Sequence, residues 1–223
     1  MPDPAQSPLR IKICGLSTAE TIAASVEAGA SYIGFVFFER SPRNVTPKRA
    51  AELSADVPPG VAKVGLIVDP SDDTLDAILS NVSLDMIQLH GSESPDRVLE
   101  VKTRTGLPAM KAVGISSAED LSRLPPYEQV ADQILVDTKA PKGSDLPGGN
   151  GLSFDWSLIS GRRWPIPWML AGGLTVDTVA AAIQQTGARQ LDLSSGVERA
   201  PGVKDPEKIR AFITAAQAAV PTS

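Results

Sequence analysis

The chain has one cysteine, Cys14, and one histidine, His90. A lone cysteine excludes an intramolecular disulfide framework and a Cys-based zinc site. A lone histidine gives no support to a His-based metal centre. No apolar run approaches the roughly 18 residues needed to span a bilayer, so no membrane partner is expected. Positive charge is also scarce: the net charge is −5, which argues against a nucleic-acid surface, because that would need a basic patch. Residues 1–8 are polar and Pro-rich and lack the apolar core of a signal peptide. They are expected to be a loose tail on a cytoplasmic protein.

What is present is an ordinary globular composition, 42% apolar and 21% charged, in 223 residues. Short apolar runs alternate with helical patterns along the whole length. Strands are expected at Leu9–Cys14, Tyr32–Phe38, Ala62–Val68, Met86–Leu89, Ala109–Val113, Gln133–Val136, Trp168–Ala171 and Gln190–Leu193. Ser17 reads as the N-cap of the first helix, with Glu20 completing a capping box. Thr46-Pro47, Ser94-Pro95 and Asp205-Pro206 each place proline at a first helical position, where its missing N–H costs nothing. Val176, Val179, Ala180 and Ile183 mark another helix, and a weak one is expected around Phe154–Ser160.

Alternation of strand and helix implies parallel strands with right-handed crossovers. Eight such units without a composition break fit one closed (β/α)8 barrel of the TIM type, residues 9–223. An open doubly wound sheet is the alternative, but no G-x-G-x-x-G follows the first strand.

In a barrel, functional residues stand just past the C-terminal ends of the strands. That filter admits Cys14, Arg43, Asp69, His90, Asp137 and Asp192. Cys14 is either a small buried residue or, if its pKa is lowered, a nucleophile or general base. Asp137 precedes the longest loop, 137–153, and is either a capping carboxylate or a general acid or base. The run Gly148-Gly149-Asn150-Gly151 would let that loop act as a mobile cover. Arg43 suits forked recognition of a carboxylate, and otherwise reads as a surface arginine. His90 is either a pocket group or a hydrogen-bonded wall residue. Asp69, in Asp69-Pro70-Ser71, reads as a turn. Gly172-Gly173 and Ser194-Ser195-Gly196 follow strands seven and eight, where a barrel commonly holds a phosphate on backbone N–H groups.

These motifs, taken in order, resemble the phosphoribosylanthranilate isomerases of tryptophan biosynthesis. The matching runs are Lys12-Ile13-Cys14-Gly15, Gly34-Phe35-Val36-Phe37 with Ser41-Pro42-Arg43, Gln88-Leu89-His90-Gly91 and Val136-Asp137-Thr138. They continue with Gly148-Gly149-Asn150-Gly151, Phe154-Asp155-Trp156, Ala171-Gly172-Gly173-Leu174 and Asp192-Leu193-Ser194-Ser195-Gly196-Val197-Glu198. The resemblance implies an Amadori rearrangement of a phosphoribosyl aminoaldose to an aminoketose, with Asp137 as general acid and Cys14 as general base. It also implies substrate contacts from Arg43 (carboxylate), His90, Asp192, and Gly172, Gly173, Ser195 and Gly196 (phosphate). The implied partner is this small-molecule substrate, with no metal or organic cofactor, and the protein is a monomer or homodimer. The chain departs from the family pattern at Asn150-Gly151-Leu152, where a hydroxyl residue, Gly and Lys are usual. Rival readings are an aminoaldose isomerase of histidine biosynthesis, a pentose-phosphate epimerase and a non-catalytic phosphosugar binder. The first would place carboxylates at strands one and five, and the second would need several histidines.

Overall fold

Strand-forming segments buried on both faces pair in parallel and close into a ring. The computed structural model describes residues 8–140, 148–149 and 151–220. The strands are β1 (Arg10–Cys14), β2 (Tyr32–Phe37), β3 (Ala62–Ile67), β4 (Met86–Leu89), β5 (Ala109–Ile115), β6 (Gln133–Thr138), β7 (Trp168–Leu170) and β8 (Gln190–Leu193), and they form a closed barrel in sequence order. The ring shuts where β8 pairs with β1, with Lys12 opposite Asp192. The crossover helices are α1 (Ala19–Glu27), α2 (Pro47–Ser54), α3 (Asp72–Leu79), α4 (Pro95–Thr105), α5 (Leu124–Glu128), α6 (Val179–Thr186) and α7 (Pro206–Ala218). Between β6 and β7 the helix shrinks to one 3₁₀ turn, Trp156–Ile159. Among the described residues no helix is long and apolar enough to cross a membrane.

Side chains alternate across each strand, so the barrel has two cores. Ile11, Ile13, Ile33, Phe35 and Ile87 face outward and pack under the helices. Inside, Tyr32, Val64, Met110, Leu135 and Met169 form a second, smaller apolar cluster. Below it, the Tyr32 hydroxyl and the Gln133 amide both donate to Gln190 Oε1, at 3.0 and 3.1 Å, and the Arg10 guanidinium lies over the Tyr32 ring. This floor closes the barrel and leaves the opposite end open.

The proline-led helix starts form as expected: Thr46, Ser94 and Asp205 each cap the helix that follows. The first helix differs. Its N-cap is Thr18 rather than Ser17, and Glu20 therefore lies one position too early for the capping box. The cause is that Gly15 and Leu16 both donate to the Gly34 carbonyl, which holds the chain to β2 for longer. Val176 is exposed and lies before α6, in a turn closed by the Thr178 hydroxyl. After β8 the chain makes a 3₁₀ turn, Ser195–Val197, and an unexpected hairpin, β9 (Glu198–Ala200) with β10 (Val203–Lys204). Residues 1–7 of the expected tail, and Pro141, Gly143, Pro147 and Asn150 of the expected cover loop, lie outside the described residues.

Candidate active site

The open end of the barrel is a cleft of about 820 Å³, the open solvent at its mouth included. Cys14, Arg43, His90, Asp137, Asp192, Gly172, Gly173, Ser195 and Gly196 all line it. Asp69 does not. It sits at a positive φ of 44° and accepts from the Ser92 N–H at 2.7 Å, tying two loops together, in keeping with its reading as a turn residue.

Cys14 ends β1 with its side chain turned inward. Its neighbour on the same face is Lys12, fully buried, whose Nζ donates to Asp192 Oδ1 at 2.9 Å. Gly34 on β2 makes room for this group: a Cβ there would stand 3.0 Å from Cys14 Sγ and 3.2 Å from Lys12 Cε. Burial pushes the Cys14 thiol up, and the Lys12 ammonium draws it back only in part. The lowered pKa expected of a basic thiol is therefore absent, because desolvation outweighs the pull of the Lys12 and Lys204 cations. Burial also works against the charge on Lys12, but the Asp192 carboxylate, joined by Cys14 once that is ionised, outweighs it and holds the ammonium above the ordinary lysine value. The free site thus holds a neutral thiol next to a buried ammonium–carboxylate pair.

Asp137 lies across the cleft at the end of β6. Its Oδ1 accepts from the Thr138 N–H at 2.7 Å, and its Oδ2 lies 3.3 Å from His90 Nε2. The Gln88 amide nitrogen is 2.8 Å from His90 Nδ1. With the amide so oriented, Nδ1 accepts, and the ring proton sits on Nε2, facing the carboxylate. Gly148 closes over the pair: a Cβ at that position would lie 2.6 Å from His90 Nε2 and 2.8 Å from Asp137 Oδ2. His90 was expected to touch a ligand, and the structure adds that it faces Asp137.

On the phosphate-type side, Gly172 and Gly173 take consecutive positive φ values of 83° and 67°. Side chains there would run into Thr138 and Ser153, so the β7 loop can lie this close to the β6 loop only with glycine. Gly196 packs in the same way on the Leu174 carbonyl. Among the described residues no acceptor takes the N–H groups of Gly172, Gly173, Ser195 or Gly196. These free donors suit an anion.

Arg43 is buried rather than solvated. Its Nε and Nη2 form a fork on Glu198, at 2.7 and 2.9 Å, and Nη2 also donates to the Gly149 carbonyl at 3.3 Å. Glu198 in turn accepts from Lys204 Nζ at 2.7 Å. Lys12, Gln88, Glu198 and Lys204 are site residues that motif reading did not single out. All except Lys204 lie inside quoted motifs, but nothing in sequence spacing shows which buried groups meet.

Residues 11–215 match the family model described as N-(5'-phosphoribosyl)anthranilate (PRA) isomerase. A relative from Cereibacter sphaeroides, named N-(5'-phosphoribosyl)anthranilate isomerase, is 59% identical over 209 residues, covering 94% of this chain and 99% of its own. The crystal structure of phosphoribosyl anthranilate isomerase from Thermotoga maritima is similar, with a TM-score of 0.85 at 38% identity over 94% of this chain and 99% of that one. A phosphoribosyl anthranilate isomerase in complex with reduced 1-(o-carboxyphenylamino)-1-deoxyribulose 5-phosphate has a TM-score of 0.82 at 36% identity, with the same coverage.

Proposed function

The chain belongs to the N-(5'-phosphoribosyl)anthranilate isomerase family, and on that premise we propose that Asp137 is the general acid and Cys14 the general base of its reaction. The activity is the Amadori rearrangement of N-(5'-phosphoribosyl)anthranilate to 1-(2-carboxyphenylamino)-1-deoxyribulose 5-phosphate, a step of tryptophan biosynthesis. The observation that carries the residue assignment is that a thiol and a carboxyl face one cleft from different strands, between free backbone donors and a buried arginine.

Asp137 gives its proton to the ribose ring oxygen. The C1'–O bond breaks, and the nitrogen lone pair forms the C1'=N iminium. Cys14, once its thiol has lost its proton to solvent, removes the C2' proton as thiolate, and the C–H electrons form the C1'=C2' bond of an enolamine as the C1'=N electrons return to nitrogen. C1' then gains a proton and the C2' hydroxyl loses one, which gives the ketone. The iminium is the electron sink, so the chemistry needs one acid and one base. Lys12 favours the thiolate from which this step starts. His90 Nε2–H faces the carboxylate that Asp137 becomes on giving up its proton.

The phosphate is placed on the N–H groups of Gly172, Gly173, Ser195 and Gly196. The anthranilate carboxylate meets the part of the Arg43 guanidinium that Glu198 leaves uncovered. Asp192, with Oδ1 on Lys12, turns its other oxygen to the ribose. The family's biosynthetic role supports a cytoplasmic location. Light scattering distinguishes the monomer from the homodimer.

Turnover is followed as loss of the substrate's anthranilate fluorescence. Cys14→Ser and Asp137→Asn should each lower kcat by about 100-fold or more, while affinity for a reduced product analogue stays within a few-fold. Variants that keep wild-type rates would remove these two residues from the acid and base roles.

A further inference from the structure

Four side chains form one continuous chain, with Arg43 and Ser194 lining the cleft and Glu198 and Lys204 behind them. The Arg43 stem crosses Gly15, whose positive φ of 78° and missing Cβ let it pass; a Cβ there would lie 2.7 Å from Arg43 Cδ. Arg43 forks onto Glu198. Lys204 Nζ donates to Glu198 Oε1 at 2.7 Å, and to both the carbonyl and the hydroxyl of Ser194 at 2.9 Å. The Ser194 hydroxyl donates to the Cys14 carbonyl at 3.1 Å. The path therefore returns to the residue before Gly15 and forms a closed loop. The β9–β10 hairpin clamps it from outside: the Gly202 N–H reaches Glu198 Oε2 at 3.3 Å, and Gly202 packs on the Pro42 backbone.

Neither middle member has capacity left for a ligand. An ammonium has three donors, and all three of Lys204 are used. Glu198 accepts four bonds, two on each oxygen. Their influence on substrate must therefore pass through Arg43 at one end and the Ser194 loop at the other. The two cations and one carboxylate also leave a net positive charge buried behind the wall, which favours anionic ligands at both ends.

We infer that Glu198 and Lys204 are positioning residues that join the carboxylate-binding arginine to the phosphate-binding loop, so that occupying either end orders the other. This rests on the placement of carboxylate and phosphate proposed above. Because the same bonds fix Arg43 and the Ser194 loop, an anion that draws one end into its binding position also carries the other toward its own, so the second ligand binds more tightly than the first, and the coupling is reciprocal.

The test titrates the intact protein with anthranilate, read by its fluorescence, with and without saturating inorganic phosphate at matched ionic strength. The wild type should bind anthranilate about fivefold more tightly or better when phosphate is present. Lys204→Gln should bring that factor close to one, and Lys204→Arg should restore most of it. Ser194→Ala removes a single hydroxyl and is expected to fold even if Lys204→Gln does not; it should lower the factor as well. A wild-type factor of one overturns the inference. So does a Lys204→Gln or Ser194→Ala variant that weakens both ligands yet keeps the wild-type factor, because that is the behaviour of a merely structural residue. Turnover on phosphoribosylanthranilate is measured alongside. An active wild type without coupling sinks the inference alone, whereas an inactive wild type sinks the reading of the site on which it rests.

Discussion

Lys12 decides how Cys14 behaves. Its ammonium is the nearest opposing influence on a thiol that burial holds neutral. A thiol base works as thiolate, so activity should rise with pH toward the raised value. In Lys12→Gln the cation is gone, and the thiol is pushed further up. The rising limb of kcat/KM should then move to higher pH by at least one unit, with about a tenfold lower rate near neutrality. A pH–rate profile of the two proteins checks this, and an unmoved limb would detach Lys12 from the base. Cys14 and Asp137 were legible in the sequence because barrel geometry singles out strand ends. Lys12 was not, because a lysine inside a short strand reads as a solvated edge and its partner Asp192 is 180 positions away. Gly34 lies in a quoted motif, but only the structure gives the reason for a glycine there: Cys14 and Lys12 fill the space in front of it.

At the scale of elements, caps are the most readable feature, because a hydroxyl or carboxylate followed by proline has one good use in a chain. Asp120 shows a subtler cap. It accepts from the N–H groups of Ser116 and Ser117 and takes an ion pair from Lys139 at 2.6 Å, which ties the 3₁₀ helix Ala118–Arg123 to the strand end that carries Asp137. Burial alone would lift its carboxyl, but the bonds from Lys139 and Ser116 outweigh it and hold it at about 2. Its folded pKa lies below the unfolded 3.8, so its stabilisation is present above that pH and is lost as pH falls toward 2. The full shift corresponds to roughly 2 kcal/mol. Lys139 is half exposed, and screening reduces this to on the order of 1 kcal/mol. Asp120→Asn should therefore be less stable by about that amount at pH 6, with the gap closing by pH 2. Urea midpoints at the two pH values measure it. The β9–β10 hairpin was the element least open to sequence reading. Strands of three and two residues carry no period-two pattern, and this pair is held by what Glu198 and Lys204 bond to.

For the whole molecule, the barrel was readable because eight strands buried on both faces recur with a helix or its remnant between them. The cleft was readable only as a set of strand ends. Which groups share a proton or a charge there depends on closure, since Arg43 meets Glu198 and Lys12 meets Asp192 only once the last strand lies beside the first. That seam has a consequence for how the chain is made. At translation rates of about 5–20 residues per second, roughly 9–36 s separate the synthesis of Lys12 from that of its carboxylate. Until β8 lies beside it, β1 lacks its second neighbour and Lys12 lacks its carboxylate partner. A central charge hinders an edge strand from recruiting another chain, so Lys12 is expected to protect the β1 edge until β8 docks. Lys12→Met and Asp192→Asn both break the pair, but only the first removes the charge. Refolded from urea side by side, Lys12→Met should lose markedly more protein to aggregates, and equal losses would leave the lysine no part in protecting the nascent edge.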